Sequence, residues 1–324
     1  MESHLSESVV IRLTSDKPVR KTPYQVKGVF MNQFSDQKIV PFLNGKLRNK
    51  YLYPRVQVKI LNEQIYIIGI KEGVDSVLSL IDNIRSFNFG NITINIEKYD
   101  IEENKDQFIT TEKLLRYKFI TPWIALNKST GGKYRLLADQ GKPLFLNQLL
   151  GKNLLFIAKE LGFEIKNKIF TKVSVDNLIP EKINENGWGS FTGEFKTNFL
   201  LPSYIGLGNG ITRGFGTLFS LNNPNCLIPE ISNEKTEDYI KEEINEEDEH
   251  ITFVTMKDVP VISKRKKQKK RQVHHKKIKN NKNYRLTKNR HGIEKNNSNN
   301  NKTIDTDDDS RFNSEEYHQK QHDL

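Results

Sequence analysis

Patterns of apolar and charged residues in the sequence predict an α+β protein made of two similar halves and a charged tail. Short β-branched or alternating stretches predict strands, and apolar residues spaced three and four apart predict helices between them. In the first half this gives strands at 9–13, 55–61, 64–70 and 91–96, with helices at 23–34 and 73–84. The order β-α-β-β-α-β is that of the ferredoxin-like fold.

The stretch 55–61 illustrates how a strand is predicted. Val56 and Val58 alternate with Gln57 and Lys59, which indicates a half-buried strand with one polar face. Asn62 and the residue after it separate this strand from 64–70, so the two strands are predicted to form a hairpin.

The same order of elements recurs in the second half without detectable sequence similarity. It comprises strands at 114–126, 170–175, 188–199 and 216–221, a helix at 144–161 and a one-turn helix at 202–205. We therefore predict ferredoxin-like domains at residues 1–106 and 107–223. Residues 224–324 are predicted to be a disordered tail, first acidic and then basic.

The tail prediction rests on composition. Residues 230–249 hold ten acidic residues against two lysines, and residues 264–290 hold fourteen Lys and Arg with no acidic residue. Such stretches bury too little apolar surface to offset the entropy cost of ordering. The basic block would add salt-sensitive affinity for phosphates, or would simply be solvated.

Charge and cysteine content restrict the classes of function. Up to Pro224 the chain has 30 Lys and Arg against 21 Asp and Glu, a balance that favours a polyanionic partner. The single cysteine, Cys226, rules out an internal disulfide and a multi-thiolate zinc site. No apolar run is long enough to span a membrane, and the N-terminus does not resemble a signal peptide. We therefore expect a cytoplasmic protein without a membrane partner.

Residues 206–216 form a glycine-rich loop with five glycines in eleven residues. Backbone N–H groups in such a loop can bind an anion, and glycine lets a ligand approach the backbone closely. We take this loop as the candidate RNA contact, through Gly206, Gly208, Gly210, Arg213, Gly214, Phe215 and Gly216. A nucleotide-dependent enzyme is a further alternative. It is disfavoured because no Lys-Ser/Thr pair ends the loop and no long helix is predicted after it.

Four segments together resemble the CRISPR-associated repeat-processing endoribonucleases of the RAMP superfamily. One is the loop itself with the two residues before it. The others are VKGVF at 26–30, where Lys27 replaces the usual arginine, YLYPRVQVK at 51–59 and FITPWIALN at 119–127. The resemblance covers roughly residues 9–221 and leaves the tail outside it.

This resemblance implies two ferredoxin-like domains that bind CRISPR repeat RNA and cut it once per repeat. It implies no cofactor and no metal, because in this family a ribose 2′-hydroxyl attacks the neighbouring phosphorus. The products carry a 2′,3′-cyclic phosphate and a 5′-hydroxyl. Such a reaction needs a base, an acid and cationic groups around the phosphorane. Other CRISPR effector subunits and a second copy of the chain are further candidate partners.

The sequence departs from the family at the expected acid–base residue. Family members commonly carry one or two histidines just before the YxYP strand, whereas this chain has none between His4 and His250. We therefore name Tyr51, Lys46 and Lys27 as candidate catalytic residues, and Arg48 and Lys50 as RNA-binding residues beside them. The alternative is a site without activity in a protein that only binds repeat RNA.

Overall fold

The computed structural model describes residues 7–183, 188–222, 242–244, 248 and 250–258. These residues belong to one compact unit. None of the helices among these residues has the length and apolar character needed to cross a membrane.

The first half folds as the predicted ferredoxin-like unit. Its elements are β1 (Ser8–Ser15), α1 (Pro23–Gln33), α2 (Val40–Leu43), β2 (Val56–Leu61), β3 (Gln64–Ile70), α3 (Val74–Leu78), β4 (Ser86–Asn88) and β5 (Thr93–Asn104). The strands form an antiparallel sheet in the order β2-β3-β1-β5-β4.

Several details of this half differ from the prediction. The helix predicted over 73–84 ends at Leu78, and a 3-10 turn, Ile81–Asn83, follows it. Ser79 donates a hydrogen bond to the carbonyl of Ser76, and Asn83 donates one to the carbonyl of Ser79. Side chains that compete for backbone carbonyls in this way interrupt helices. The short strand β4 was not predicted.

The second half has the same topology in a larger sheet. Its elements are β6 (Thr110–Leu126), α4 (Lys128–Arg135), α5 (Lys142–Leu161), β7 (Ile169–Val175), β8 (Glu181–Ile183), β9 (Trp188–Phe199), β10 (Leu218–Ser220), β11 (Glu242–Glu243) and β12 (Thr252–Val254). The main strand order is β10-β6-β9-β7-β12, and the shorter β8 and β11 pair with β9 and β6. The predicted pair of ferredoxin-like units is thereby confirmed.

The one-turn helix predicted at 202–205 is wrong. Tyr204 has a left-handed backbone (φ 68°), and its N–H donates to the carbonyl of Leu218. The N–H of Leu218 in turn donates to the carbonyl of Ile205, so the segment runs beside β10 instead of forming a turn of helix. The helix α4 was also missed, because its sequence contains two glycines and little apolar periodicity.

The start of the predicted disordered tail needs correction. Residues 252–254 form β12, which pairs with β7 and places the buried Val254 against Gly151 of α5. The Asn147 side chain donates to the backbone carbonyl of His250 at 2.8 Å. Val254 is therefore buried against α5, which composition alone does not predict. Most of the remaining tail, including His274 and His275, lies outside the described residues, as does His4.

The two halves share one hydrophobic core. Val10, Tyr66 and Ile68 on one face of the first sheet belong to the same apolar cluster as the second half, and Tyr66 packs on Tyr204 with ring centroids 4.9 Å apart. The other face of that sheet is covered by α1 and α3. This packing places β2 directly against the glycine-rich loop.

We predict that Gly151→Ala destabilises the protein, although alanine normally favours a helix over glycine. An added Cβ would lie 2.6 Å from Cγ2 of Val254, so β12 must shift, at a cost of about 1–3 kcal/mol. Urea unfolding measures the change. The double variant with Val254→Ala removes the clash. Its loss of unfolding free energy should therefore be smaller than the sum of the losses in the two single variants. Strict additivity would contradict the proposed packing of β12.

Candidate nucleic-acid interface

The glycine-rich loop is built around a single 3-10 turn, Ile211–Arg213. Gly210 (φ 73°) and Gly214 (φ 95°) flank the turn in left-handed conformations that favour glycine. The N–H of Arg213 donates to the carbonyl of Gly210 at 2.9 Å, and that of Gly214 donates to the carbonyl of Ile211 at 3.0 Å. These bonds give the turn a defined shape.

Only part of the loop reaches solvent. Residues 206–211 and 216 are buried, whereas residues 212–215 are partly exposed. A Cβ on Gly208 would lie 2.7 Å from the carbonyl oxygen of Ile124, and one on Gly216 would overlap the carbonyl of Leu207. Gly206, Gly208, Gly210 and Gly216, all predicted to contact RNA, are therefore covered by protein and allow close packing. Of the predicted loop contacts, the structure exposes Arg213, Gly214 and Phe215.

The second half holds one side of the loop through the end of β6. The N–H of Asn209 donates to the carbonyl of Ile124 at 3.0 Å, and the N–H of Gly216 donates to the carbonyl of Pro122 at 2.9 Å. The Thr121 hydroxyl donates to the carbonyl of Gly214 at 2.9 Å. The FITPWIALN segment is thus the scaffold on which the loop lies.

The first half holds the opposite side through residues at and before the start of β2. The hydroxyl of Tyr53 donates to the carbonyl of Gly206 at 3.0 Å, while the N–H of Gly206 donates to Oε1 of Gln57 at 2.9 Å. Both backbone groups of the first loop glycine are therefore bound by side chains of the YLYPRVQVK segment.

Two lysines of the first half bind neighbouring carbonyls of the 3-10 turn. Nζ of Lys59 donates to the carbonyl of Ile211 at 3.1 Å, and Nζ of Lys27 donates to the carbonyl of Thr212 at 2.7 Å. Lys59 is fully buried and Lys27 is partly buried. Lys27, proposed from sequence as a catalytic residue, therefore lies at the loop and contacts its backbone.

The predicted half-buried character of β2 is wrong. Gln57 and Lys59, on the polar face of the strand, are 1% and 0% exposed. They are covered because the loop and the second half pack on that face. Sequence reasoning therefore missed Gln57 and Lys59 as site residues. Both residues could have been identified from the sequence, because they lie in the YLYPRVQVK segment that carries the resemblance.

The charge state of Lys59 depends on its surroundings. Burial, with a smaller contribution from the positive charge of Lys27, lowers the pKa of Lys59 to about 7. The buried lysine is therefore partly neutral at physiological pH, in contrast to a lysine at the surface.

Arg213 and Phe215 form the partly exposed end of the loop. The guanidinium carbon of Arg213 lies 5.3 Å from the centroid of the Phe215 ring, within the range of a cation–π contact. Burial lowers the pKa of the Arg213 guanidinium, but arginine stays charged in proteins. Together with Lys27 and Lys59, Arg213 makes the environment of the turn cationic.

Tyr51 lies in a separate group that precedes β2. Its ring stacks on Phe42 with centroids 6.1 Å apart, and Arg55 and Lys50 lie 4.6 and 4.9 Å from its centroid. The hydrogen bond to Tyr51 raises the pKa of Lys50. Arg55, which is buried, forms an ion pair with Glu72 at 2.7 Å. Two cations therefore lie beside the Tyr51 ring, and one of them, Arg55, is paired with a carboxylate.

Lys46 and Arg48 belong to the turns between α2 and β2. Lys46 is exposed and Arg48 is partly buried. Arg55, beside Tyr51, and Lys59, below the loop, are four residues apart along an extended chain, which corresponds to roughly 13 Å. The structure therefore divides the predicted site residues into a loop group containing Lys27 and a Tyr51 group.

His250 is the histidine that falls within the described residues. It is exposed and lies two residues before the start of β12. The strands β6 and β12 are three strand spacings apart, roughly 14 Å. Because the loop is attached to β6, His250 lies well away from it.

Two tandem ferredoxin-like units with a glycine-rich loop held between them are the architecture that the four sequence segments implied. Residues 7–107 match the Cas6b N-terminal domain, and residues 109–221 match the Cas6b C-terminal domain. The chain belongs to the Cas6b family, which confirms the resemblance seen in the four sequence segments. The part of the chain after residue 221 lies outside both family domains.

The chain is also similar to individual proteins. A crystal structure described as Cas6b is 30% identical, with a TM-score of 0.56 over 66% of this chain and 98% of that chain. A structure of the CRISPR RNA processing endoribonuclease Cas6b is 26% identical, with a TM-score of 0.49 over 66% and 98% of the two chains. An uncharacterized protein of Methanocaldococcus jannaschii is 31% identical over 139 residues, which are 43% of this chain and 95% of that protein.

We predict that Lys59 makes the stability of the protein depend on pH. Its pKa is about 7 in the folded protein, against about 10.4 in an unfolded chain. Between these values the unfolded state binds more protons, so the free energy of unfolding rises with pH by at most about 1.4 kcal/mol per unit. In Lys59→Met this rise should disappear, so the stability of the wild type relative to the variant should increase from pH 7 to pH 9.

Urea unfolding at pH 6, 7.5 and 9 measures this difference. Lys159→Met, which removes an exposed lysine of α5, controls for the loss of a lysine as such. Parallel stability profiles of the wild type and Lys59→Met would show that Lys59 does not titrate in this range.

Proposed function

We propose that this protein binds CRISPR repeat RNA and cuts it by a reaction that needs no metal. The ribose 2′-hydroxyl attacks the adjacent phosphorus, and the bond to the 5′-oxygen breaks. The products carry a 2′,3′-cyclic phosphate and a 5′-hydroxyl. Family membership supports this reaction, and the cationic turn with Arg213 at its exposed end is the observation that carries it.

The geometry of the loop suits a phosphate ligand. Arg213 is charged and partly removed from water, so it gains more from a phosphate than an exposed arginine would. The Phe215 ring beside it offers a surface on which a base can stack. Lys27 and Lys59 hold the backbone of the turn. The side chains of Arg213 and Phe215 therefore have a defined position before RNA binds.

Cationic groups can promote this reaction even without histidine. The phosphorane gains negative charge as the 2′-oxygen attacks, and nearby cations stabilise it. Tyr51, between Lys50 and Arg55, is our candidate for proton transfer, with Lys46 as the exposed neighbour. Tyrosine and lysine ordinarily titrate near 10, so we expect slower cleavage than a histidine would support.

A second candidate function is RNA binding without cleavage. It is favoured by the absence of histidine between His4 and His250. A nucleotide-dependent enzyme is disfavoured, since a dinucleotide loop opens a helix, whereas this loop leads into the short strand β10. Association with other CRISPR proteins, a homodimer and a cytoplasmic location all stay predictions.

Incubation of the protein with end-labelled CRISPR repeat RNA in EDTA tests the proposed reaction. We expect one cut per repeat with a cyclic phosphate, and no cut in RNA with a 2′-deoxyribose at that position. Tyr51→Phe should slow cleavage about 100-fold with little change in affinity, and Tyr99→Phe, at an exposed tyrosine, should not. Binding without cleavage by the wild type would favour the second candidate, and unchanged cleavage by Tyr51→Phe would remove Tyr51 from the mechanism.

We predict that Arg213→Ala weakens binding of repeat RNA and lowers the slope of log affinity against log salt by about one unit. Fluorescence anisotropy at several salt concentrations measures both quantities. Arg85→Ala is the matched control, because Arg85 is exposed and precedes β4, at the edge of the first sheet opposite β2. An unchanged slope in Arg213→Ala would exclude a phosphate contact at this residue.

A further inference from the structure

The helix α4 carries a basic surface outside the loop and the Tyr51 group. Its sequence, KSTGGKYR, contains no acidic residue, and Lys128, Lys133 and Arg135 are all exposed. It follows β6 directly, and Asn127 caps its first turn by accepting hydrogen bonds from the N–H groups of residues 129 and 130. Its terminal N–H groups are therefore engaged by the protein, so a ligand would be bound by side chains.

The buried and exposed faces of α4 are well separated. Thr130 and Tyr134 are 7% and 1% exposed and pack toward the sheet. With 3.6 residues per turn, the opposite face is centred on Gly132, with Lys128 one turn before it and Arg135 one turn after it. Two cations thus flank a position without a side chain.

Gly132 is not required by the fold. A Cβ at this position would meet no atom within 4 Å, and Gly132 is not among the described residues with a positive φ. Glycine is less favourable than alanine inside a helix because it loses more backbone entropy on folding. The packing of the fold therefore gives no reason for a glycine at position 132, whereas close approach of a ligand would.

The helix lies near the glycine-rich loop. Asn209 of the loop donates to the carbonyl of Ile124 on β6, and Asn127 caps α4 three residues later. Three residues of extended chain span roughly 10 Å. A single strand of RNA bound at Arg213 could therefore continue onto the surface of α4.

We propose that Lys128, Gly132 and Arg135 form a second contact for the RNA, in which the sugar–phosphate backbone lies across Gly132 and phosphates pair with the two cations. This inference rests on the proposed RNA-binding function and extends it beyond the loop. The backbone is the favoured occupant because its phosphates recur regularly along a strand that the loop already holds. The contact would add affinity without reading sequence.

The experiment compares the binding of repeat RNA by the full chain and its variants at several salt concentrations. Lys128→Gln with Arg135→Gln should weaken binding and lower the salt slope by about one to two units. Lys159→Gln, at an exposed lysine on α5, is the matched charge control. Gly132→Ala should raise Tm by about 2 °C and yet weaken RNA binding several-fold. A purely structural role of Gly132 would not move stability and affinity in opposite directions.

The outcomes separate this inference from the proposed function. If the α4 variants bind as the wild type does while Arg213→Ala binds more weakly, the inference fails and the proposed function stands. If the wild type does not bind repeat RNA, the proposed function fails and the inference fails with it. If neutralising α4 strengthens binding or leaves its salt slope unchanged, the cations of α4 do not hold phosphates, which overturns an RNA contact there.

Discussion

The hydrogen bond from the buried Lys59 to the carbonyl of Ile211 is the interaction on which the site depends. Lys59 belongs to the first half of the protein and Ile211 to the second, so the bond forms only when the two halves are packed together. An ammonium group removed from water is costly unless a polar partner accepts its protons. The requirement for this acceptor therefore couples the conformation of the turn to the docking of the two halves.

The glycines of the loop serve two different physical purposes. Gly210 and Gly214 supply left-handed backbone at either end of the turn, whereas Gly208 and Gly216 allow β6 and Leu207 to approach. Neither purpose needs a ligand, so a glycine-rich sequence does not by itself locate the RNA contact. We place the proposed contact by exposure, which selects the few residues around Arg213. The loop is thus better described as a rigid support for two side chains than as a phosphate cradle made of backbone.

Sequence patterns predicted most of the strands, because alternation and β-branched residues report directly on burial within a sheet. They failed where burial depends on a distant segment. The polar face of β2 resembles a solvent-facing surface until the loop covers Lys59, and nothing local distinguishes the two cases. The strand β12 was missed for a related reason, since it lies in a charged tail and its Val254 is buried by contact with the distant Gly151. Resemblance to a family identified the segments of the site, but only the structure showed that these segments hold one another.

Binding and chemistry make different demands on this protein, and the structure meets them in different places. Binding needs fixed cations, which the turn supplies through Arg213 on a backbone held by two lysines. Proton transfer needs a group that titrates near the working pH, and among the described groups at the loop Lys59 comes closest. Lys59 is buried behind the turn, however, and its ammonium is engaged with the backbone, so it positions the loop and does not meet the substrate. We therefore assign the proposed proton transfer to the Tyr51 group, where the neighbouring Lys50 and Arg55 would stabilise an anionic intermediate. A site built in this way would retain RNA tightly while cutting it slowly, because the features that stabilise the complex do not include an efficient acid or base.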